Sequence, residues 1–73
     1  MAANRNNSDL KNRLEELVED MLDGSIMLNE ATEEFEKVFI TKALERNNRH
    51  ISKTAGKIGI HRNTLSKRIS EYD

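Results

Sequence analysis

The first regular pattern in the chain is a stripe of apolar residues that recurs at three- and four-residue intervals over residues 10–22. This spacing places the apolar side chains on one face of an amphipathic α-helix. Ser8 can cap that helix and Gly24 can end it, so we predict a first helix over residues 9–23. Residues 1–8 lack the periodic signal and are predicted to form a flexible tail.

A second apolar stripe follows the short linker at residues 24–28, and Asn29 can cap the helix that we predict over residues 30–46. Ile40 widens the apolar arc of this helix beyond what one neighbour would cover. We therefore expect two packing partners, the first helix and the same helix of a second subunit. The residues expected at this dimer interface are Leu14, Leu17, Val18, Met21, Phe35, Val38 and Phe39.

The last quarter of the chain predicts two short helices. Residues 47–50 form a loop by composition, a third helix is expected over residues 51–58, and Gly59 ends it. A fourth helix begins close to Arg62 and runs nearly to the terminus. The fold class is therefore all-α, with two helices in a dimeric four-helix bundle (9–46) and two in a C-terminal helix-turn-helix (47–73), which together form a single domain over residues 9–73.

Composition supports this assignment and adds a reason for dimerisation. A core built from 73 residues supplies roughly 3 to 5 kcal/mol at best. The chain has no Cys, so neither a disulfide nor a thiolate metal site can add stability, and a second subunit is the expected source. No signal peptide or membrane-crossing apolar run is evident, which predicts a soluble, cytoplasmic protein.

The charges are divided between the two parts of the chain. Residues 1–45 hold 5 Lys or Arg against 11 Asp or Glu, whereas residues 46–73 hold 7 against 2. The overall charge of −1 therefore hides a basic C-terminal part, which can approach a phosphate backbone in one orientation.

The residues around Gly59 have the properties that a helix-turn-helix requires. Ala55 is small enough for close approach of two backbones, and Gly59 can adopt a positive φ. The face of the fourth helix opposite Leu65 is polar, and Arg62 can donate two hydrogen bonds to guanine in a major groove. Asn63 and Ser66 are further candidates for base reading. Suited to phosphates are Ser52, Lys53, Lys57, Thr64, Lys67 and Arg68.

These residues resemble the C-terminal helix-turn-helix of the Fis family, which includes nucleoid Fis and the DNA-binding domains of NtrC-type activators. The resemblance rests on Leu44-Glu45, Ser52-Lys53-Thr54-Ala55, residues 58–65 and Lys67-Arg68-Ile69. It implies a two-fold dimer that presents two recognition helices to successive major-groove segments, usually of bent DNA. By position, the resemblance makes Arg62 the base-reading arginine, with His61 beside it. It places on the DNA backbone His50, Ser52, Lys53, Thr64 and Lys67.

The chain also departs from that family. His50 and His61 stand where Asn is usual, so the resemblance implies weaker helix caps there. Ser70 and Glu71 replace lysines of nucleoid Fis, which implies fewer phosphate contacts. Residues 1–8 offer no counterpart to the mobile β-arms with which Fis stimulates recombination, so an inversion-stimulating role is not expected.

Other classes of function receive little support. The adjacent carboxylates at residues 15–16 and 33–34 point about 100° apart on a helix, so they make no catalytic pair. His50 and His61 lack further ligands at metal-binding spacing. We therefore expect no enzyme activity, cofactor, metal, small-molecule substrate or membrane partner.

Three hypotheses remain open from the sequence. The first is a stand-alone Fis-like DNA-binding regulator, favoured because the chain begins with Met1 and has its own dimerisation helices. The second is the DNA-binding domain of a larger NtrC-type activator. In the third, the chain is a helical module whose helix-turn-helix contacts another protein, and its binding would not have the salt dependence of DNA binding.

Overall fold

The computed structural model describes the backbone of residues 2–72 and the side chains of residues 9–72. Met1 and Asp73, the outer ends of the predicted tail and domain, lie outside the described residues. Four helices make up this part of the chain, with no strand among the described residues: α1 (Ala2–Asp23), α2 (Leu28–Arg46), α3 (Ile51–Ile58) and α4 (Arg62–Tyr72). The all-α prediction is confirmed, while the dimeric bundle stays a prediction.

Helix α1 begins at Ala2, seven residues before the predicted start. Ser8 therefore lies inside the helix, and its predicted role as a cap is wrong. Residues 2–8 contain neither Gly nor Pro, and extending a helix costs far less than nucleating one. The apolar stripe begins only at Leu10, which is why the sequence pattern placed the helix start too late. The mobility of residues 1–8 stays a prediction.

The end of α1 at Asp23 agrees with the prediction, but the residue that turns the chain is not Gly24. Ser25 adopts the left-handed conformation, with φ of 61°. The Ile26 N–H donates to the Met21 carbonyl at 3.0 Å, which closes the last turn in the manner of a Schellman motif. Gly24 stands one position too early to supply the positive φ.

Helix α2 begins at Leu28, two residues before the predicted start, so Asn29 lies within its first turn rather than at the cap. The Met27 N–H instead donates to Oε1 of Glu30 at 3.1 Å. This contact is the carboxylate half of a capping box, in which an acidic side chain three residues into the helix satisfies the cap residue's N–H. The acidic residue at the third position, rather than a polar residue before the stripe, defines this helix start.

The loop between α2 and α3 contains two consecutive residues with positive φ, Asn48 at 55° and Arg49 at 61°. The Arg49 N–H donates to the Leu44 carbonyl at 2.8 Å. Asn47 adds a side-chain bond from its amide nitrogen to the Ala43 carbonyl at 2.8 Å. These bonds satisfy carbonyls at the end of α2 without a glycine, because Asn tolerates the left-handed region.

Helices α3 and α4 have the predicted bounds and pack against each other across the three-residue turn of residues 59–61. Gly59 has φ of 79° and ψ of 31°. The Ala55 carbonyl accepts hydrogen bonds from the N–H groups of both Gly59 and Ile60, at 2.9 and 3.0 Å. The predicted role of Gly59 as the residue that ends α3 is confirmed, because only glycine adopts this conformation at little cost.

The chain forms two compact units, one ending at Thr32 and the other beginning at Glu33. The second unit contains a small closed core, in which Leu65 is fully buried. The other buried apolar residues of this core are Ile40, Leu44 and Ala55. Partly buried residues packed against it are Ile51, Ile58, Ile60, Ile69 and Tyr72. The apolar residues of the helix-turn-helix therefore pack together in one core with those of α2.

Candidate nucleic-acid interface

The polar face at the start of α4 is exposed. Arg62, Asn63 and Ser66 are all solvent-accessible, whereas Leu65 of the same helix has no exposed surface. Since Leu65 is anchored in the core, the helix cannot rotate about its axis without exposing that side chain to water. The core thus fixes which side chains α4 presents to a partner.

His61 caps α4. Its Nδ1 accepts a hydrogen bond from the Asn63 N–H at 3.1 Å, and the His61 carbonyl accepts from the Leu65 N–H at 3.0 Å. An imidazole nitrogen that accepts carries no proton, so in the neutral ring the proton lies on Nε2. The side chain therefore stabilises the start of α4 with one nitrogen and retains a donor on the other. The sequence resemblance implied a weakened cap at this position, but the histidine makes the capping bond.

His50 plays the same part at the start of α3. Its backbone is extended, with φ of −82° and ψ of 108°, and its Nδ1 accepts from the Lys53 N–H at 3.2 Å. The His50 carbonyl also accepts from the Thr54 hydroxyl at 2.7 Å. Both short helices thus begin at a histidine whose ring satisfies a free N–H of the first turn.

Thr54 is fully buried, and the sequence reasoning gave it no role. Its hydroxyl is satisfied by the His50 carbonyl one turn earlier, so burial leaves no polar atom of this side chain without a partner. The signal that could have found it is its position next to Ala55 on the inner side of α3. A small β-branched residue there fills the space between helices while its oxygen bonds locally.

The side chains proposed for phosphate contact are exposed at the starts of α3 and α4, with one exception. Ser52 and Lys53 lie in the first turn of α3, and Thr64 and Lys67 lie in the first half of α4. Lys57, in the last turn of α3, is also exposed. Because these cations lie on a basic segment, their fields add and favour a polyanion.

Arg68 is the exception. Its Nη1 donates to Oε1 of Glu36 at 2.7 Å, and the two side chains are 44% and 37% exposed. The Tyr72 hydroxyl donates to the same oxygen at 3.1 Å. Sequence reasoning missed this cluster because Glu36 is 32 residues away from Arg68 along the chain. The signal available was the spacing of Arg68 and Tyr72, one helical turn apart on α4.

The cluster also alters the acidity of the tyrosine. Partial burial, and then the hydrogen bond to Glu36, raises the pKa of Tyr72 above its ordinary value of 10.0, while the charge of Arg68 acts in the opposite direction. The neutral phenol can donate to the carboxylate, whereas a phenolate would repel it.

The residues predicted for the dimer interface are largely uncovered. On α1, Leu14, Leu17 and Val18 are between 42% and 53% exposed. On α2, Phe35, Val38 and Phe39 are between 47% and 57% exposed. The rings of the two phenylalanines lie 5.7 Å apart between centroids, tilted by 42°. Of the seven predicted residues, Met21 is less exposed than the other six. Burial against a second subunit stays a prediction.

An open groove lies beside this apolar patch of α2. It has a volume of about 600 Å³ and is lined by residues of α2, Asn47 and the end of α3. Its lining includes the apolar residues Phe35, Phe39 and Ile58 and the basic residues Lys42 and Lys57.

Neither a metal site nor a membrane span is found in the described part of the chain. Across the side chains that the structure describes, no three His, Cys, Asp or Glu residues come together as metal ligands. Within the described helices, none has the length and apolar character needed to cross a membrane.

An exposed polar helix, held by a buried seam behind a glycine turn, defines a helix-turn-helix DNA-binding domain. The chain belongs to the Fis family of bacterial regulatory proteins, whose model matches residues 31–72. The resemblance identified from the sequence is thus confirmed.

A relative of this chain is a bacterial transcriptional regulatory protein. The chain is 40% identical over 52 residues to the hydrogenase transcriptional regulatory protein HoxA of Bradyrhizobium diazoefficiens, and the match covers 71% of this chain. The chain spans 11% of the length of that relative. No solved structure matches the chain. Family and relative together support DNA binding and transcriptional regulation.

Proposed function

We propose that this protein binds double-stranded DNA with sequence specificity, as a homodimer, to regulate transcription. The observation that carries the proposal is the exposed surface of Arg62, Asn63 and Ser66 at the start of α4. A major groove is wide enough for one α-helix, and residues near the start of a recognition helix reach base edges there.

Arg62 reads sequence in this proposal. Its guanidinium can donate to O6 and N7 of one guanine, a pairing that distinguishes guanine from the other bases. His61, Asn63 and Ser66 are further base-reading candidates, and the Nε2–H of His61 is a donor left over from the cap. The side chains proposed for phosphate contact are those of His50, Ser52, Lys53, Thr64 and Lys67, with Lys57 as an additional cation.

The homodimer is proposed from the uncovered apolar surface. Several large apolar side chains are half-exposed on α1, and others are half-exposed on α2. Clustered apolar side chains on the surface of a small protein indicate an interaction site. Two-fold pairing of the same surface is the commonest way in which identical chains cover such residues. It would also supply two α4 copies for a two-fold symmetric DNA site.

The 40% identity with a segment of a longer transcriptional regulator favours a second form of the proposal. In this form, the residues act as the DNA-binding domain of a larger activator, and other domains would carry the activating step. DNA recognition by α4 is common to both forms.

A selection of bound duplexes from a random library tests specificity and symmetry together. We expect a two-fold symmetric motif with a guanine in each half-site. Arg62→Ala should then cost about 1 to 3 kcal/mol on the selected site and relax the preference at that guanine. The matched control is Lys67→Ala, which should weaken selected and random duplexes alike.

The salt dependence of binding tests the nature of the partner. Affinity for duplex should fall steeply as salt rises, because each neutralised phosphate releases counterions. If no duplex binds at low salt, a helical module that contacts another protein becomes the better interpretation.

A further inference from the structure

A single carboxylate oxygen connects α4 to α2. Oε1 of Glu36 accepts from Nη1 of Arg68 at 2.7 Å and from the hydroxyl of Tyr72 at 3.1 Å. The two donors are one helical turn apart, so the pair of bonds restrains the C-terminal half of α4 at two points. Glu36 precedes these donors by 32 and 36 residues, which makes the contact tertiary rather than local.

The surroundings of this ion pair favour its persistence. Glu36 and Arg68 line a groove whose other walls include Phe35, Ile40 and Ile60. Apolar walls reduce the local polarisability, so charges there attract each other more strongly than they do in open water. A bond of 2.7 Å between a guanidinium and a carboxylate is also among the stronger hydrogen bonds in proteins.

Arg68 differs in this respect from its neighbour on α4. Lys67 is exposed, and consecutive side chains of a helix point about 100° apart. An arginine already neutralised by a carboxylate adds no net charge against the DNA and releases few counterions on binding. Lys67 and Arg68 therefore look alike in the sequence but have different electrostatic surroundings in the structure.

We propose that Glu36 is a positioning residue that withholds Arg68 from the DNA phosphates by holding it in an ion pair between α2 and α4. This inference rests on the proposed DNA binding. It replaces the sequence expectation that Arg68 contacts phosphate with an assignment in which Lys67 contacts phosphate and Arg68 holds the helix.

The slope of log K against log salt tests the assignment, because each phosphate contact contributes about 0.9 to its magnitude. We expect Lys67→Ala to reduce the slope by about 0.9 for each α4 engaged, whereas Arg68→Ala leaves it unchanged. If Arg68→Ala reduces the slope as much as Lys67→Ala does, the inference is wrong although DNA binding stands. If the unaltered protein shows no salt-dependent binding, DNA binding itself is wrong.

Releasing Arg68 from its ion pair should change the slope of log K against log salt in the opposite direction. Glu36→Gln removes the charge but keeps an acceptor, so Arg68 becomes available to a phosphate. We expect the slope to steepen by about 0.9 for each α4 engaged, which enlarges the ratio of affinities at 50 and 200 mM salt by about 3.5-fold. Glu34→Gln is the matched control, because it neutralises an exposed carboxylate two positions earlier on the same helix.

Two more variants separate release of Arg68 from simple loss of a negative charge. In the double variant Glu36→Gln, Arg68→Ala, the steeper slope should return to that of the unaltered protein. A slope that stays steep in the double variant overturns the proposal. Glu36→Asp retains the negative charge but shortens the side chain by one methylene group, which moves the carboxylate away from Arg68. We therefore expect a slope between those of the unaltered protein and the Glu36→Gln variant. The helical circular dichroism of all three proteins should be the same. An Asp variant that keeps the original slope contradicts the positioning role.

Discussion

The two compact units of this chain differ in how far their apolar side chains are buried. In the unit that begins at Glu33, Leu65 is completely covered. In the unit that ends at Thr32, Leu10 and Leu14 remain 50% and 53% exposed. One unit therefore contains a closed core, while the apolar face of α1 is largely exposed. The site at the start of α4 belongs to the self-sufficient unit.

Helix α2 shows the same contrast over a short distance. Ile40 and Leu44 are buried, whereas Phe35, Val38 and Phe39 are about half-exposed. The two sets lie on different sides of one helix, and the buried set belongs to the helix-turn-helix core. The apolar residues of α2 therefore fall into two sets, one that belongs to the core of the helix-turn-helix and one that remains largely exposed.

The largest expected effect comes from emptying the closed core. Leu65→Ala should cost about 2 to 5 kcal/mol of unfolding free energy, because it removes transfer energy and leaves a cavity. Urea denaturation followed by circular dichroism measures the loss. The control is Leu17→Ala, which alters a side chain that is 48% exposed. Equal losses for the two variants, measured where the protein is monomeric, would remove the distinction between the units.

The next largest effect tests the exposed apolar surface of α1. Leu17→Asp should raise the dissociation constant of the dimer roughly 10- to 150-fold for each copy of residue 17 that is buried. This factor corresponds to the about 1.5 to 3 kcal/mol gained when a leucine side chain is transferred out of water. Sedimentation equilibrium reads the change directly. Asn12→Asp adds the same charge to α1 at an exposed polar position and should leave association nearly unchanged. Finding the unaltered protein monomeric at tens of micromolar would contradict the proposed dimer.

Two glycines of the helix-turn-helix give a smaller, paired prediction. A methyl group added at Gly56 or Gly59 meets nothing within 4 Å, so steric contact contributes to neither change. Gly59→Ala should cost about 1 to 2 kcal/mol, because φ is 79° there. Gly56→Ala lies inside α3 and should stabilise the domain by about 0.5 to 1 kcal/mol. Thermal unfolding of both variants checks the opposite signs, and a shared sign would contradict the backbone explanation.

The sequence predicted the helix-turn-helix best because its limits depend on local chemistry. Gly59 is needed at a positive φ, and Leu65 and Ile69 repeat at helical spacing, so α3 and α4 have the bounds that were expected. The prediction was poorer where several residues could serve equally well. Ser25 rather than Gly24 takes the left-handed position, and Glu30 rather than Asn29 satisfies the start of α2.

The candidate site divides in the same way. The exposure of Asn63 and Ser66 was predictable, because they point away from the anchored Leu65 on the helix, and Arg62 was expected to project from the first turn of α4. The partner of Arg68 was not, because an ion pair across 32 residues depends on how α2 and α4 pack. Periodicity gives the faces of a helix but does not identify which residues of two helices meet.

The smallest effect concerns the stability of the second unit at alkaline pH. Folding raises the pKa of Tyr72, so the folded state favours the neutral phenol. Its contribution is present below pH 10.0 and is lost as pH rises through the folded value. Tyr72→Phe should lose about 0.5 to 1.5 kcal/mol at neutral pH but show a weaker further decline above about pH 10. Urea midpoints from neutral to alkaline pH test this, and parallel curves would contradict it.

The histidine rings that begin α3 and α4 have a practical consequence. Each bonds through Nδ1 to its own helix, so the nuclear magnetic resonance frequencies of the two ring nitrogens should differ strongly, with Nδ1 resembling an unprotonated base. The histidines thus serve as natural spectroscopic labels at the edge of the proposed interface. Docking of a duplex should shift the Nε2 signal of His61 while the Nδ1 signal continues to report an intact helix start, without any probe being attached.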